Sequence, residues 1–189
     1  MNIAVLALQG AFREHVSMLK QMGVEAHEAR LPEDLARADG LIIPGGESTT
    51  IGKLARAYNL IEPIRQMARA GKPVWGTCAG MIVLAKDIGP EPPHVAVMDV
   101  KVQRNAFGRQ VDSFEADLDV PALGPPPPFH AIFIRAPLIE SVGAGIEVLA
   151  QLDDGTIVAA RQGNLLVTSF HPELTRDPRF HRLFLDRLA

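Results

Sequence analysis

Val74-Trp75-Gly76-Thr77-Cys78-Ala79-Gly80 carries a short apolar run into Gly-x-Cys-x-Gly, and an apolar helical pattern follows. A strand that turns into a helix at one residue strains that residue and crowds the positions two away on either side. Glycine at 76 and 80 removes the side chains that would collide. The pattern is a nucleophile elbow with sulfur in place of a serine oxygen. Such a turn belongs at the edge of a parallel sheet, and it leaves Cys78 projecting alone above that edge. It also places the thiol at a helix N-terminus, where unpaired N–H groups favour the thiolate. A lone cysteine can equally be a small buried apolar residue, so the rest of the chain has to decide.

Outward from the elbow, strand and helix patterns alternate. Residues 3–8 form a continuous apolar run of the kind buried on both faces of a parallel sheet, and Phe12, Val16, Leu19 and Met22 follow at helical spacing. Leu41-Ile42-Ile43 and Val74-Trp75 read as further buried strands. Helical segments are expected over 51–58, 61–70 and 79–86. This rhythm predicts an α/β fold with a doubly wound, mostly parallel sheet, flanking helices and flavodoxin-like layering. From about Val95 strand-like runs follow one another, at 95–102, 129–135, 146–152, 157–160 and 165–170. Asp153-Asp154-Gly155 marks a hairpin turn, so an antiparallel portion is expected in the C-terminal half. A last helix is expected after Asp177 and Pro178, with Phe180, Leu183, Phe184 and Leu188 on one apolar stripe. Pro125-Pro126-Pro127-Pro128 reads as a stiff surface connection away from any site.

The chain has 189 residues, which suits one well-buried α/β domain over 1–189. It is 47% hydrophobic and 22% charged with a net charge of −3, so it has no basic footprint for nucleic acid. One cysteine excludes a disulfide framework or a Cys-rich metal site, and no cofactor or metal is expected. The absence of a basic leader or a long apolar run leads us to expect a cytoplasmic protein, not a membrane one.

A second chemical site lies at Ser169-Phe170-His171-Pro172-Glu173. Of six histidines, only His171 has a carboxylate two residues on. Side chains two apart on an extended chain share a face, and Pro172 biases His171 towards that conformation. A cysteine nucleophile needs a base, and the base needs a group to hold its orientation. Cys78, His171 and Glu173 supply the three roles. The other five histidines, at 15, 27, 94, 130 and 181, read as surface or core-edge residues.

A third constellation, Pro44-Gly45-Gly46-Glu47-Ser48-Thr49, follows a buried strand. In a doubly wound sheet this loop and Cys78 share one edge. Taken alone it could be a plain turn with Ser48 or Thr49 as helix cap. It lacks the Gly-Lys-[Ser/Thr] ending of a phosphate-binding loop. Beside Cys78 it reads as one arm of an oxyanion hole, the Gly46 amide working with the Ala79 amide.

Gly-Thr-Cys-Ala-Gly with Phe-His-Pro-Glu, in that order, resembles the class I (triad) glutamine amidotransferases. Within the class, the chain is most similar to the glutaminase subunits of pyridoxal 5′-phosphate synthases. That likeness rests on the segments 6–11, 44–50, 104–114 and 133–137. It covers essentially the whole chain. The resemblance implies hydrolysis of L-glutamine to L-glutamate and ammonia by Cys78, His171 and Glu173. It implies glutamine binding through Gly46, Glu47, Ser48, Arg104, Ile134 and Arg135, and partner coupling near Gln9. It also implies transfer of ammonia to a separate synthase subunit in an assembly of twelve plus twelve chains. An Arg fork with a nearby Glu suits the α-carboxylate and α-ammonium of free glutamine; which arginine holds the carboxylate stays open. Two other readings share the elbow. One is the glutaminase serving imidazole glycerol phosphate synthesis, opposed by the 104–114 segment and by Phe133-Ile134-Arg135-Ala136-Pro137. The other is a DJ-1-like cysteine hydrolase or chaperone, in which histidine rather than Ala79 typically follows the cysteine.

Overall fold

The structure is a computed structural model and describes residues 1–104 and 113–188. The N-terminal half runs β1 (Asn2–Leu6), α1 (Phe12–Gln21), β2 (Glu25–Ala29), α2 (Pro32–Ala36), β3 (Gly40–Ile43), α3 (Ser48–Ala57), α4 (Ile61–Arg69), β4 (Val74–Thr77) and α5 (Ala79–Leu84). Then come β5 (Ala85–Asp87), β6 (Met98–Gln103), β7 (Ser113–Leu118), β8 (Phe129–Ile134), β9 (Leu138–Val142), β10 (Glu147–Gln151), β11 (Ile157–Gln162), β12 (Leu165–Thr168) and α6 (Arg179–Leu185). Residues 105–112, most of the segment singled out at 104–114, lie outside the described residues.

The large sheet has the order β2-β1-β3-β4-β12-β11-β9-β6-β5, with β10 pairing β11 at the side. Its first five strands are mutually parallel, and the pairings of β12 with β11, β11 with β9 and β9 with β6 are antiparallel. A second sheet is the antiparallel pair of β7 and β8. The doubly wound α/β architecture with an antiparallel C-terminal portion is therefore present. The turn at Asp153-Asp154-Gly155 joins β10 to β11, with Gly155 at φ +85° donating its N–H to Leu152 O at 2.9 Å.

The apolar run of β1 alternates between two cores. Ala4, Leu6, Leu41, Ile43 and Val74 pack with Ile51, Ala55, Ile64 and Met67 of α3 and α4 on one face. Ile3, Val5, Ile42 and Trp75 pack with Leu19 of α1 and with Phe180 and Phe184 of α6 on the other. A strand buried on both faces reads as continuous hydrophobicity, which is why residues 3–8 carried such a clear signal.

Several boundaries differ from expectation. The helix from Ala79 ends at Leu84, because Ala85 adopts φ −63°, ψ 142° and the chain passes directly into β5. The run expected from Val95 becomes a strand only at Met98, since Ala96 turns at φ +57°. The last helix starts at Arg179 with Pro178, not Asp177, at its N-cap, and Asp177 just before it accepts the Arg179 N–H at 3.0 Å. Strands β2, β7 and β9 and the short α2 carried no signal strong enough to expect.

Candidate active site

Parallel pairing brings the site together. The register aligns Ile3 with Gly40, Leu41 with Val74 and Val74 with Leu165. Four parallel strands thus end along one edge, and the segments that follow them carry Gln9, Gly45-Gly46, Cys78 and His171. This is the edge at which open α/β sheets hold ligands.

Cys78 occupies the turn between β4 and α5 at φ +49°, ψ −111°, a conformation that costs a non-glycine residue about 1–3 kcal/mol. The surroundings enforce it. The Cys78 N–H donates to Thr168 O at 2.8 Å. A methyl group on Gly76 would overlap the Gly80 carbonyl, and one on Gly80 would overlap the Ile43 carbonyl. The thiol is largely buried, and its Sγ faces Ile134 O at 3.8 Å. Ala79, the first residue of α5, has an amide with no acceptor inside the helix.

His171 follows β12, at φ −110°, ψ 83°, with its N–H on Ile132 O at 2.9 Å. Its Nδ1 is 2.7 Å from Glu173 Oε1. The expected extended link between the two is instead a 3-10 turn at Pro172–Leu174, which brings Glu173 round to the ring. Burial opposes charge on His171. The hydrogen bonds with Cys78 and Glu173 and the Glu173 charge outweigh it and push the pKa up to about 10. Burial also opposes charge on Glu173, yet the charge and hydrogen bonding of His15, followed by those of His171, hold its carboxyl well below the usual range. Cys78, His171 and Glu173 thus form one buried line. Gly45 packs against it: a methyl group there would strike His171 Cε1 and come within 3.2 Å of Cys78 Cβ.

The loop of Gly45 and Gly46 is braced from the N-terminus. Gln9 Oε1 accepts the Glu47 N–H at 2.6 Å, and Gly45 O accepts the Ala11 N–H at 3.2 Å. The Gly45 N–H itself donates to Thr77 Oγ1 at 3.1 Å. Glu47, not Ser48 or Thr49, caps α3, accepting the N–H groups of Thr49 and Thr50 at 2.9 and 2.7 Å. Burial works against the Glu47 carboxylate, but its bonds to Thr50 and Thr49 lower the pKa to about 2.

Cys78, Ala79 and His171 open onto a cavity of about 470 Å³, which Gln9, Gly46, Glu47, Ser48, Arg104, Ile134 and Arg135 also line. Every residue singled out from the sequence except Glu173, which stands behind His171, reaches this space. Arg104 donates to Glu91 at 2.8 Å and to Thr49 Oγ1 at 3.0 Å, and it lies 3.5 Å from Glu47. Arg135 holds a left-handed backbone at φ +42°. Pro137 and Ile82 line the same cavity without having been expected, and Pro125 to Pro128 do not touch it. Among the described residues no group of three His, Cys, Asp or Glu is arranged to hold a metal ion.

Sequence reasoning misplaced three histidines. His15, His94 and His181 are buried rather than at the surface or core edge, and His15 stands 3.3 Å from Glu173. Nothing local marks His15; its neighbours are brought to it by tertiary packing. Glu91, which braces Arg104, was equally unmarked.

The family described as the SNO glutamine amidotransferase family matches residues 5–189. A pyridoxal 5′-phosphate synthase subunit PdxT from Herpetosiphon aurantiacus is 61% identical over 189 residues, spanning 98% of this chain and 99% of its own length. The PdxT of Moorella thermoacetica is 59% identical over 190 residues, with both chains fully covered. A crystal structure described as a glutamine amidotransferase superposes with a TM-score of 0.92 at 53% identity, covering 98% of each chain. PurLQS from Thermotoga maritima shares the fold, with a TM-score of 0.78 at 16% identity, covering 100% of this chain and 99% of its own.

Proposed function

The chain belongs to the SNO glutamine amidotransferase family, and from that membership we propose that it hydrolyses L-glutamine to L-glutamate and ammonia as the glutaminase subunit of a pyridoxal 5′-phosphate synthase. The observation that carries the reading is the buried line of Cys78, His171 and Glu173 behind a cavity that Gly46 and Ala79 line.

In this mechanism the Cys78 thiolate, paired with the His171 imidazolium, attacks the γ-carboxamide carbon of glutamine. The amides of Gly46 and Ala79 hold the oxyanion. His171 gives its proton to the departing nitrogen, the C–N bond breaks and ammonia leaves a γ-glutamyl thioester. Water then attacks the thioester with His171 taking its proton, and glutamate and the thiolate are released. Glu173 stays ionised and keeps the imidazole oriented. Gly46, Glu47, Ser48, Arg104, Ile134 and Arg135 bind the amino-acid end. Arg104 suits a carboxylate partner, since Glu91 and Thr49 already fix its planar fork.

The chain acts as one domain over 1–189, in the cytoplasm, and delivers ammonia to a separate synthase subunit in a twelve plus twelve assembly. Segment 9–11 braces the oxyanion loop, so a partner that docks near Gln9 sets the orientation of the Gly45-Gly46 peptide and with it the activity. The test is ammonia release from glutamine, with and without the synthase subunit, followed by the synthase assay with an ammonium salt. The isolated chain is expected to be nearly inactive and the complex active, with ammonium replacing glutamine. A full rate from the isolated chain overturns the coupling; failure of ammonium to substitute overturns the transfer.

A further inference from the structure

Helix α1 buries a histidine that the reaction just described does not use. His15 and His181 have no exposed surface at all. His15 Nε2 lies 3.3 Å from Glu173 Oε2 and 3.3 Å from Thr77 Oγ1, and His15 Nδ1 lies 3.0 Å from His181 Nε2. Trp75 meets both rings edge-on, with centroids 5.6 and 5.0 Å away.

Stability does not account for this pair. His181 Nδ1 is buried without a hydrogen-bond partner, and such an orphan is destabilising. Apolar side chains of similar size would fill the space without that cost, as Trp75, Phe180 and Phe184 do around it.

The contacts place hydrogen on His15 Nε2. Glu173 is ionised, so a bare lone pair on His15 Nε2 would face the lone pairs of Oε2. Nε2 therefore carries hydrogen, which goes to Thr77 Oγ1, while Glu173 Oε2 stands 3.3 Å from the same nitrogen and has no hydrogen bond of its own. Burial opposes charge on His181 and lowers its pKa to about 3, so its ring is neutral. One hydrogen lies between His15 Nδ1 and His181 Nε2, and His181 Nδ1 is left without a partner.

A glutamate carboxyl rotates readily about its last bond, because that torsion has broad minima. One oxygen on His171 does not fix the carboxyl plane. A hydrogen bond on one oxygen together with the attraction of the His15 Nε2 3.3 Å from the other does. We propose that His15 is a positioning residue for the glutaminase reaction. Backed by His181, it holds Oε2 of Glu173 so that Oε1 stays on His171 Nδ1 while the imidazole moves its proton between Cys78 and the leaving nitrogen. The inference rests on the glutaminase reading above.

The experiment compares His15→Leu, His15→Gln and Cys78→Ala, each in complex with the synthase subunit, by steady-state glutaminase kinetics and by Tm. His15→Leu removes the donor and is expected to lower kcat by about 10–100-fold, as loss of an outer-shell orienting group does. KM is expected within about threefold of wild type, because His15 does not line the substrate cavity. His15→Gln, whose amide nitrogen reaches the Nε2 position, is expected to recover most of kcat. If His15→Leu does not fold, the double variant His15→Leu/His181→Phe removes both partners together and is expected to fold with the same low kcat. Wild-type kcat in a folded Leu variant, a Gln variant as slow as Leu, or a loss confined to KM overturns the assignment. Cys78→Ala separates the two readings: activity there defeats the glutaminase mechanism itself, whereas an inactive Cys78→Ala beside a fully active His15→Leu defeats only the role of His15.

Discussion

At the residue scale, the roles of His171 and Glu173 are unequal. The imidazole moves the proton, and the carboxylate orients and stabilises the imidazolium. Glu173→Gln is therefore expected to retain more glutaminase activity than His171→Asn, measured as kcat in the complex. A Glu173→Gln enzyme equal to wild type would reduce the triad to a dyad. The same carboxylate has a signature in stability. Its pKa is held below the ordinary value of 4.5, so its stabilising contribution is complete above that pH and drains away as pH falls. Wild type is expected to exceed Glu173→Gln in Tm at about pH 6, with the gap narrowing towards about pH 3. A gap that does not change with pH would mean that the buried charge contributes nothing. His171 acts in the opposite sense: its raised pKa stabilises fully below 6.5, and the contribution is lost as pH rises towards about 10.

At the scale of the element, the elbow and the loop beside it depend on absent side chains. A methyl on Gly45 would push into His171 and against Cys78, so Gly45→Ala is expected to misplace the base while leaving the sheet intact. A displacement of about 1 Å at reacting groups costs about a hundredfold, so kcat should fall by that order with little change in Tm. An unimpaired Gly45→Ala would show that the loop is slack. The elbow was legible in the sequence because Gly76 and Gly80 are adjacent to the residue they serve. Strand β2 was not, because Glu25-Ala26-His27-Glu28-Ala29 lies at the sheet edge, pairs with β1 alone and carries no apolar run. In β7 the burial alternates between exposed and half-buried positions until Leu118, which weakens the period-two signal.

At the scale of the whole molecule, the order of the central strands turned three separate motifs into one site. Pairing β4 with both β3 and β12 puts the Gly45 loop and His171 on either side of Cys78. Alternation of strands and helices was enough to foresee that the Gly45 loop and Cys78 share an edge, whereas His171 was joined to them by the base that a cysteine nucleophile requires. The contact of α1 with the triad was beyond it, since residues 15, 173 and 181 meet only through the folded core. The central claim is that glutamine is opened by covalent attack from Cys78. The most direct measurement is glutamate formation from glutamine by Cys78→Ala, in complex with the synthase subunit and at wild-type Tm. A loss of about three orders of magnitude or more is expected, as for nucleophiles of other triads. Activity above about a tenth of wild type would contradict the account.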